Sequence, residues 1–102
     1  MISRQKWQQF SLGQQLGHVA SEISRARHWQ EEGNDTSRNL ALERALELLD
    51  LTIADDRFRN RLKEILRLRE VICDWYSGEK NYPISAHSLE EYCEIYATAR
   101  YN

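Results

Sequence analysis

The stretch 58-FRNRLKEILRLREVICDWY-76 is the most regular in the chain, and its reading sets the fold. At roughly 100° per residue, Phe58, Leu62, Ile65, Leu66, Ile72, Cys73 and Tyr76 fill one arc of a helix, with Arg69 near the centre of that arc. A guanidinium does not shed its proton to escape burial. Its head must reach solvent or meet a carboxylate. Arg69 is therefore expected either to snorkel or to form a pair with Glu47, Asp50, Glu70 or Glu94. If removing it stranded a desolvated carboxylate, the cost would be roughly 3 kcal/mol.

Upstream, 54-ADDR-57 carries acids suited to a helix N-terminus, and the apolar phase shifts between Ile53 and Phe58. A short turn near Ala54 to Asp56 is expected there instead of one unbroken helix from 37 to 76. Before it, Ala41, Leu42, Ala45, Leu46, Leu48, Leu49 and Ile53 form a wide apolar arc, with Thr36 or Ser37 as the cap. Further back, Ser11 and Gln14 read as a capping box for a helix from about Leu12 to Glu32, and Leu12, Leu16, Val19, Ile23 and Ala26 recur on one face. Gly33-Asn34 offers the left-handed geometry that ends it.

Downstream, Gly78 and Tyr82-Pro83 interrupt the pattern. Ser88 with Glu91 forms a second capping box, with Ser85 as an earlier cap. Leu89, Tyr92, Cys93, Tyr96 and Ala99 then mark a fourth amphipathic helix. The expected fold is all-α: an antiparallel four-helix bundle whose shorter C-terminal helix is free to cross one end. Residues 1–102 form one helical domain, with 1–10 an N-terminal arm that is either flexible or interface-forming.

Composition narrows the function classes. With 102 residues there is room for one domain, and 41% hydrophobic with 29% charged residues is a globular balance. A formal charge of -2 argues against a non-specific nucleic-acid binder. No signal-peptide core or long apolar run is present, so a soluble cytoplasmic protein without a membrane partner is expected. Cys73 and Cys93 have no CxxC spacing and read as reduced packing residues.

Several groupings could carry chemistry. His18, Glu22, Arg25 and Trp29 share a narrow helical sector, a ladder of ionic and stacking contacts that could face a partner. Arg27, Arg69 and Arg100 lie on or beside apolar arcs, as buried ion pairs or an anion-binding cleft. Glu43, Glu47 and Asp50 share one helical edge, as Mg²⁺ ligands in a helical nucleotide phosphohydrolase would, although that edge is the solvent-facing one. Arg59, Lys63 and Arg67 could give a small phosphate-binding strip, without the aromatic interleaving of a single-strand platform. There is no Gly-rich phosphate loop, nucleophile elbow or histidine metal motif.

The aromatic surplus decides among these. Trp7, Phe10, Trp29, Trp75, Tyr76 and Tyr82 exceed what so small a core requires, and aromatics concentrate at interfaces. The expected function is a non-enzymatic helical interaction or regulatory accessory module without a cofactor, acting through a protein partner or a homodimer, with Trp29 and Trp75 as anchors. Metal-dependent phosphohydrolysis and weak nucleic-acid binding are the alternatives.

Overall fold

The computed structural model describes residues 2–78 and 85–98, with side chains given as far as Cys93 apart from that of Ala86. The fold is an all-α helical bundle. After a single turn, α1 (Arg4–Trp7), come α2 (Leu12–Glu31) and α3 (Asp35–Ile53); a 3-10 segment (Asp56–Arg61) then leads into α4 (Leu62–Ser77), and α5 (Ala86–Thr98) follows.

The boundaries have local causes. Ser11 and Gln14 form the capping box at α2, Ser11 Oγ accepting from Gln14 N and Gln14 Oε1 accepting from Ser11 N. Gly33, at φ +74°, turns the chain, and Asn34 Oδ1 accepts from Ser37 N at 3.0 Å. Asn34 is thus the cap of α3, not Thr36 or Ser37: one Gly-Asn pair ends one helix and starts the next. Asp55 caps the 3-10 segment through Arg57 N, so the break near residue 55 is real. Gly78, at φ +75°, ends α4. At α5 it is Ser85, not Ser88, that caps, its Oγ accepting from Ser88 N at 3.1 Å. The expectations on Tyr82, Pro83 and Arg100 lie outside the described residues, as do those on the side chains of Glu94 and Tyr96.

Helix directions follow from paired contacts. Gln15 and Glu22 of α2 meet Thr52 and Arg44 of α3 respectively, so the two run antiparallel. Asp50 and Glu43 of α3 meet Arg69 and Tyr76 of α4 in the same opposed order. α5 packs along α2, beginning where Arg27 meets Glu90. The packed sequence is α4–α3–α2–α5. Among the described residues, α4 and α5 have no comparably extensive contact, and the bundle stays open on that side.

The core runs through Leu16, Val19 and Ile23 of α2, Leu42 and Leu49 of α3, Ile72 of α4 and Cys93 of α5, all almost fully buried. In α4 the buried face is Ile65, Leu68, Val71 and Ile72, while Leu66 and Tyr76 are 40% exposed. This corrects the arc drawn from Phe58 to Tyr76. Phe58 sits in a 3-10 segment with a kinked backbone (φ -108°, ψ 20°), and 3-10 structure advances more steeply per residue than an α-helix. Phasing the helix from Phe58 therefore rotates the arc, and Arg69 belongs at its edge instead of its centre.

Trp7 is also corrected. Expected among the interface aromatics, it is 1% exposed. Its indole N–H donates to Thr52 Oγ1 at 3.0 Å, which lets a polar-tipped ring lie in the core.

Candidate functional site

The residues that sequence reading grouped together divide among three places. In the first, between α2 and α3, the Glu22 carboxylate is nearly buried and pairs with Arg25 of its own helix and Arg44 of α3. His18 is exposed, its ring centroid 5.1 Å from Phe10 and 5.6 Å from Trp7. Glu22, Arg44, His18, Phe10 and Trp7 border, together with Glu47, a shallow pocket of about 290 Å³. The two arginines balance the two carboxylates, Glu22 and Glu47, so the corner as a whole has no excess charge. The arginine heads are half or more in water while the carboxylate they share is nearly buried.

In the second place, at the C-terminal end of α2, Trp29 is half-buried with its ring 5.0 Å from that of His28. Trp75 of α4 packs against the core and donates its indole N–H to Gln30 Oε1 at 2.7 Å. Trp29 is thus separate from the Glu22 corner, and Trp75 is engaged within the bundle. Nearby, Arg27 lies 2.9 Å from Glu90 Oε2 in an ionic contact without hydrogen-bond geometry, and 3.3 Å from His87 Nδ1. Arg27 therefore ties α2 to α5. Arg100 lies outside the described residues.

The third place is the outer face of α3 against α4. Asp50 Oδ1 accepts from Arg69 Nε at 2.7 Å, and the bond holds the guanidinium more firmly charged than usual. Glu43 Oε2 accepts from the Tyr76 hydroxyl at 3.2 Å, and the carboxylate pushes that phenol above its ordinary 10.0. Glu47 turns toward the Glu22 pocket instead. The three carboxylates proposed as metal ligands therefore do not converge on one centre. Among the described residues, no group of three His, Cys, Asp or Glu side chains is placed to hold a metal ion. The arginines that lead into α4 are similarly divided: Arg57 binds Asp55 and the Phe10 carbonyl, Arg59 of the expected phosphate strip meets Asp56, and Arg61 meets Glu64. Cys73 and Cys93 are both free thiols, the first half-buried and the second buried.

A second, more apolar concave feature lies on the open side of the bundle. A groove of about 530 Å³ runs between α4 and α5. Leu68 and Val71 form one apolar wall and Leu89 the other, with the Tyr92 ring at the edge. Lys63, Glu64 and Arg67 stand along its α4 lip, their alkyl stems extending the apolar surface while their heads stay in water. Tyr92 of α5 is 38% exposed, and Leu66 is exposed on the outer flank of α4. An apolar floor beside a charged lip is suited to receive an amphipathic helix. Among the described residues it offers no convergent polar groups of the kind that orient a small substrate.

Sequence reading missed this groove because it weighed Leu68 and Val71 against the wrong phase of α4. A usable signal was present: apolar residues on both flanks of α4 are more than one neighbouring helix covers. Neither protein-family models, nor curated proteins, nor solved structures show a match to this chain. No helix of the described residues is long and apolar enough to cross a membrane.

Proposed function

We propose that this chain is a small non-enzymatic helical interaction module, a regulatory or accessory subunit of the cytoplasm that docks a protein partner in the groove between α4 and α5. The observation that carries the reading is the chemistry of that groove: Leu68, Val71 and Leu89 in its walls, Lys63, Glu64 and Arg67 at its lip. Burying such walls under a partner removes apolar surface from water, and lip charges set orientation and register. The separate engagements of Glu43, Glu47 and Asp50 give the phosphohydrolase alternative no common centre to work from.

Native mass spectrometry of the protein isolated gently from its source tests the reading, with wild type and Tyr92→Glu side by side. Tyr92 is at the groove edge, so a carboxylate there charges the opening without entering the core. The wild type is expected to retain a protein partner, a different chain or a second copy, and the variant to lose it while keeping its helical circular dichroism. A wild type isolated alone, or one carrying a reproducible metal or phosphate adduct, overturns the proposal.

A further inference from the structure

The charges of α4 run against its dipole. A helix favours acids in its first turn and bases in its last. Here Arg59 and Arg61 lead in, Lys63 and Arg67 follow, and the last turn contains no base. The acids Glu70 and Asp74 instead occupy the C-terminal half, Glu64 being the exception near the start. Glu64 apart, this order opposes the α4 dipole.

Four of these residues also form a straight stripe. Lys63, Arg67, Glu70 and Asp74 follow one another at spacings of four, three and four, which places them on one line along the helix surface. The first three are exposed and Asp74 is half-buried. Lys63 and Arg67 are at the same time the lip of the apolar groove. The stripe reads plus, plus, minus, minus, and so it is complementary to itself when reversed.

We infer that the occupant of this surface is a second copy of the chain, bound so that the two α4 helices lie antiparallel across a two-fold axis passing between Leu68 and Arg69. That axis sets Lys63 opposite Asp74 of the other copy and Arg67 opposite its Glu70, with each pair occurring twice by symmetry. The opposed helix dipoles then help as well, because each basic half-helix meets an acidic one. Lys63 and Arg67 belong to both stripe and groove, so a copy seated on the stripe borders the open side of the bundle. Leu66, exposed on the other flank, is brought near its own counterpart. Arg67, Glu70 and Asp74 already have contacts within their own subunit, and the pairing exchanges or shares these. The inference rests on the interaction-module reading and names its partner.

A charge swap tests it. Lys63 and Asp74 stand eleven positions apart, about 16 Å along one helix, so they do not pair within a subunit. Purified wild type is expected to dimerise in sedimentation equilibrium, more weakly as salt is raised. Lys63→Glu and Asp74→Lys should each raise the dimer dissociation constant by about tenfold or more, because each puts like charges opposite one another twice. The double variant should return to near the wild-type value, with all four proteins retaining the same helical circular dichroism. A wild type that stays monomeric at millimolar concentration overturns the inference, as does a dimer indifferent to either reversal or a double variant no better than the singles. Should the protein from its source carry a different chain while the purified protein remains monomeric, this inference fails and the interaction-module reading stands. Isolation of a lone monomer from the source overturns both.

Discussion

The indole N–H of Trp7 donates to the Thr52 hydroxyl across 45 positions of sequence, and that hydroxyl in turn donates to Gln15 Oε1 at 2.8 Å. Gln15 Nε2 closes the loop by donating to the Trp7 carbonyl at 2.9 Å. All three side chains are essentially buried. The N-terminal turn is thereby stapled to α2 and α3 by a polar knot in which each member satisfies another.

Thr52→Val keeps the shape and removes the hydroxyl, stranding both the Trp7 donor and a Gln15 acceptor. The expected loss is about 3 kcal/mol. In a domain of this size that corresponds to a fall in Tm of roughly 10–20 °C. Thr52→Ser keeps the hydroxyl and gives up one methyl, for about 1 kcal/mol. Thermal and urea unfolding of the two variants separate the effects. Equal stability of Val and Ser would show that the knot is replaced by water.

Arg69→Ala is expected to cost no more than about 1 kcal/mol, and less at high salt. The Arg69 side chain is 36% exposed and its Asp50 partner 56% exposed, so removing the guanidinium leaves a carboxylate that water can reach. The larger loss expected for a stranded buried charge does not apply here. Urea titrations at low and high ionic strength check this, and a loss of several kcal/mol independent of salt would contradict it.

That revision also marks how much was legible in the sequence. Capping at Ser11, the Gly33 turn, the break near Asp55 and the Gly78 stop are local chemistry, and each could be read from a few neighbouring residues. Asp50 stood among the carboxylates expected for Arg69. What sequence pattern could not supply was the phase of α4, because a 3-10 segment precedes it and apolar residues flank it on both sides. The burial of Trp7 was equally hidden, since it depends on Thr52 and Gln15 meeting it from two other helices. The groove between α4 and α5 is a property of how four helices fail to close, which no single periodicity encodes.

Asp55 predicts acid sensitivity. Arg57 donates from its guanidinium to both oxygens and holds the carboxyl below its ordinary 3.8; burial pulls the other way, and the Arg57 backbone N–H adds to the lowering. A folded-state pKa below the unfolded one contributes stability that is complete above the unfolded value and disappears as pH falls through the folded value. The window is therefore below about pH 4. Asp55→Asn retains a cap acceptor without the charge. The stability difference between wild type and Asn should be constant from neutral pH down to about pH 5 and shrink below it. Chemical denaturation across that range is the measurement, and parallel curves throughout would rule out Asp55 as a titrating contributor.

The pairs Glu22–Arg44 and Asp50–Arg69 both join helices, yet they differ in shielding. The Glu22 side chain is 5% exposed against 56% for Asp50, while their arginines are 50% and 36% exposed. Burial of the acid confines its field and weakens screening, and it makes the carboxylate dependent on Arg25 and Arg44 for its hydrogen bonds. A double-mutant cycle of Glu22→Gln with Arg44→Met is expected to give a coupling of about 1–2 kcal/mol, above the fraction of a kcal/mol for Asp50→Asn with Arg69→Met. Added salt should reduce the second coupling more than the first. If the two couplings are equal and equally screened, Arg25 alone suffices for Glu22, and Arg44 contributes its stem instead of its charge.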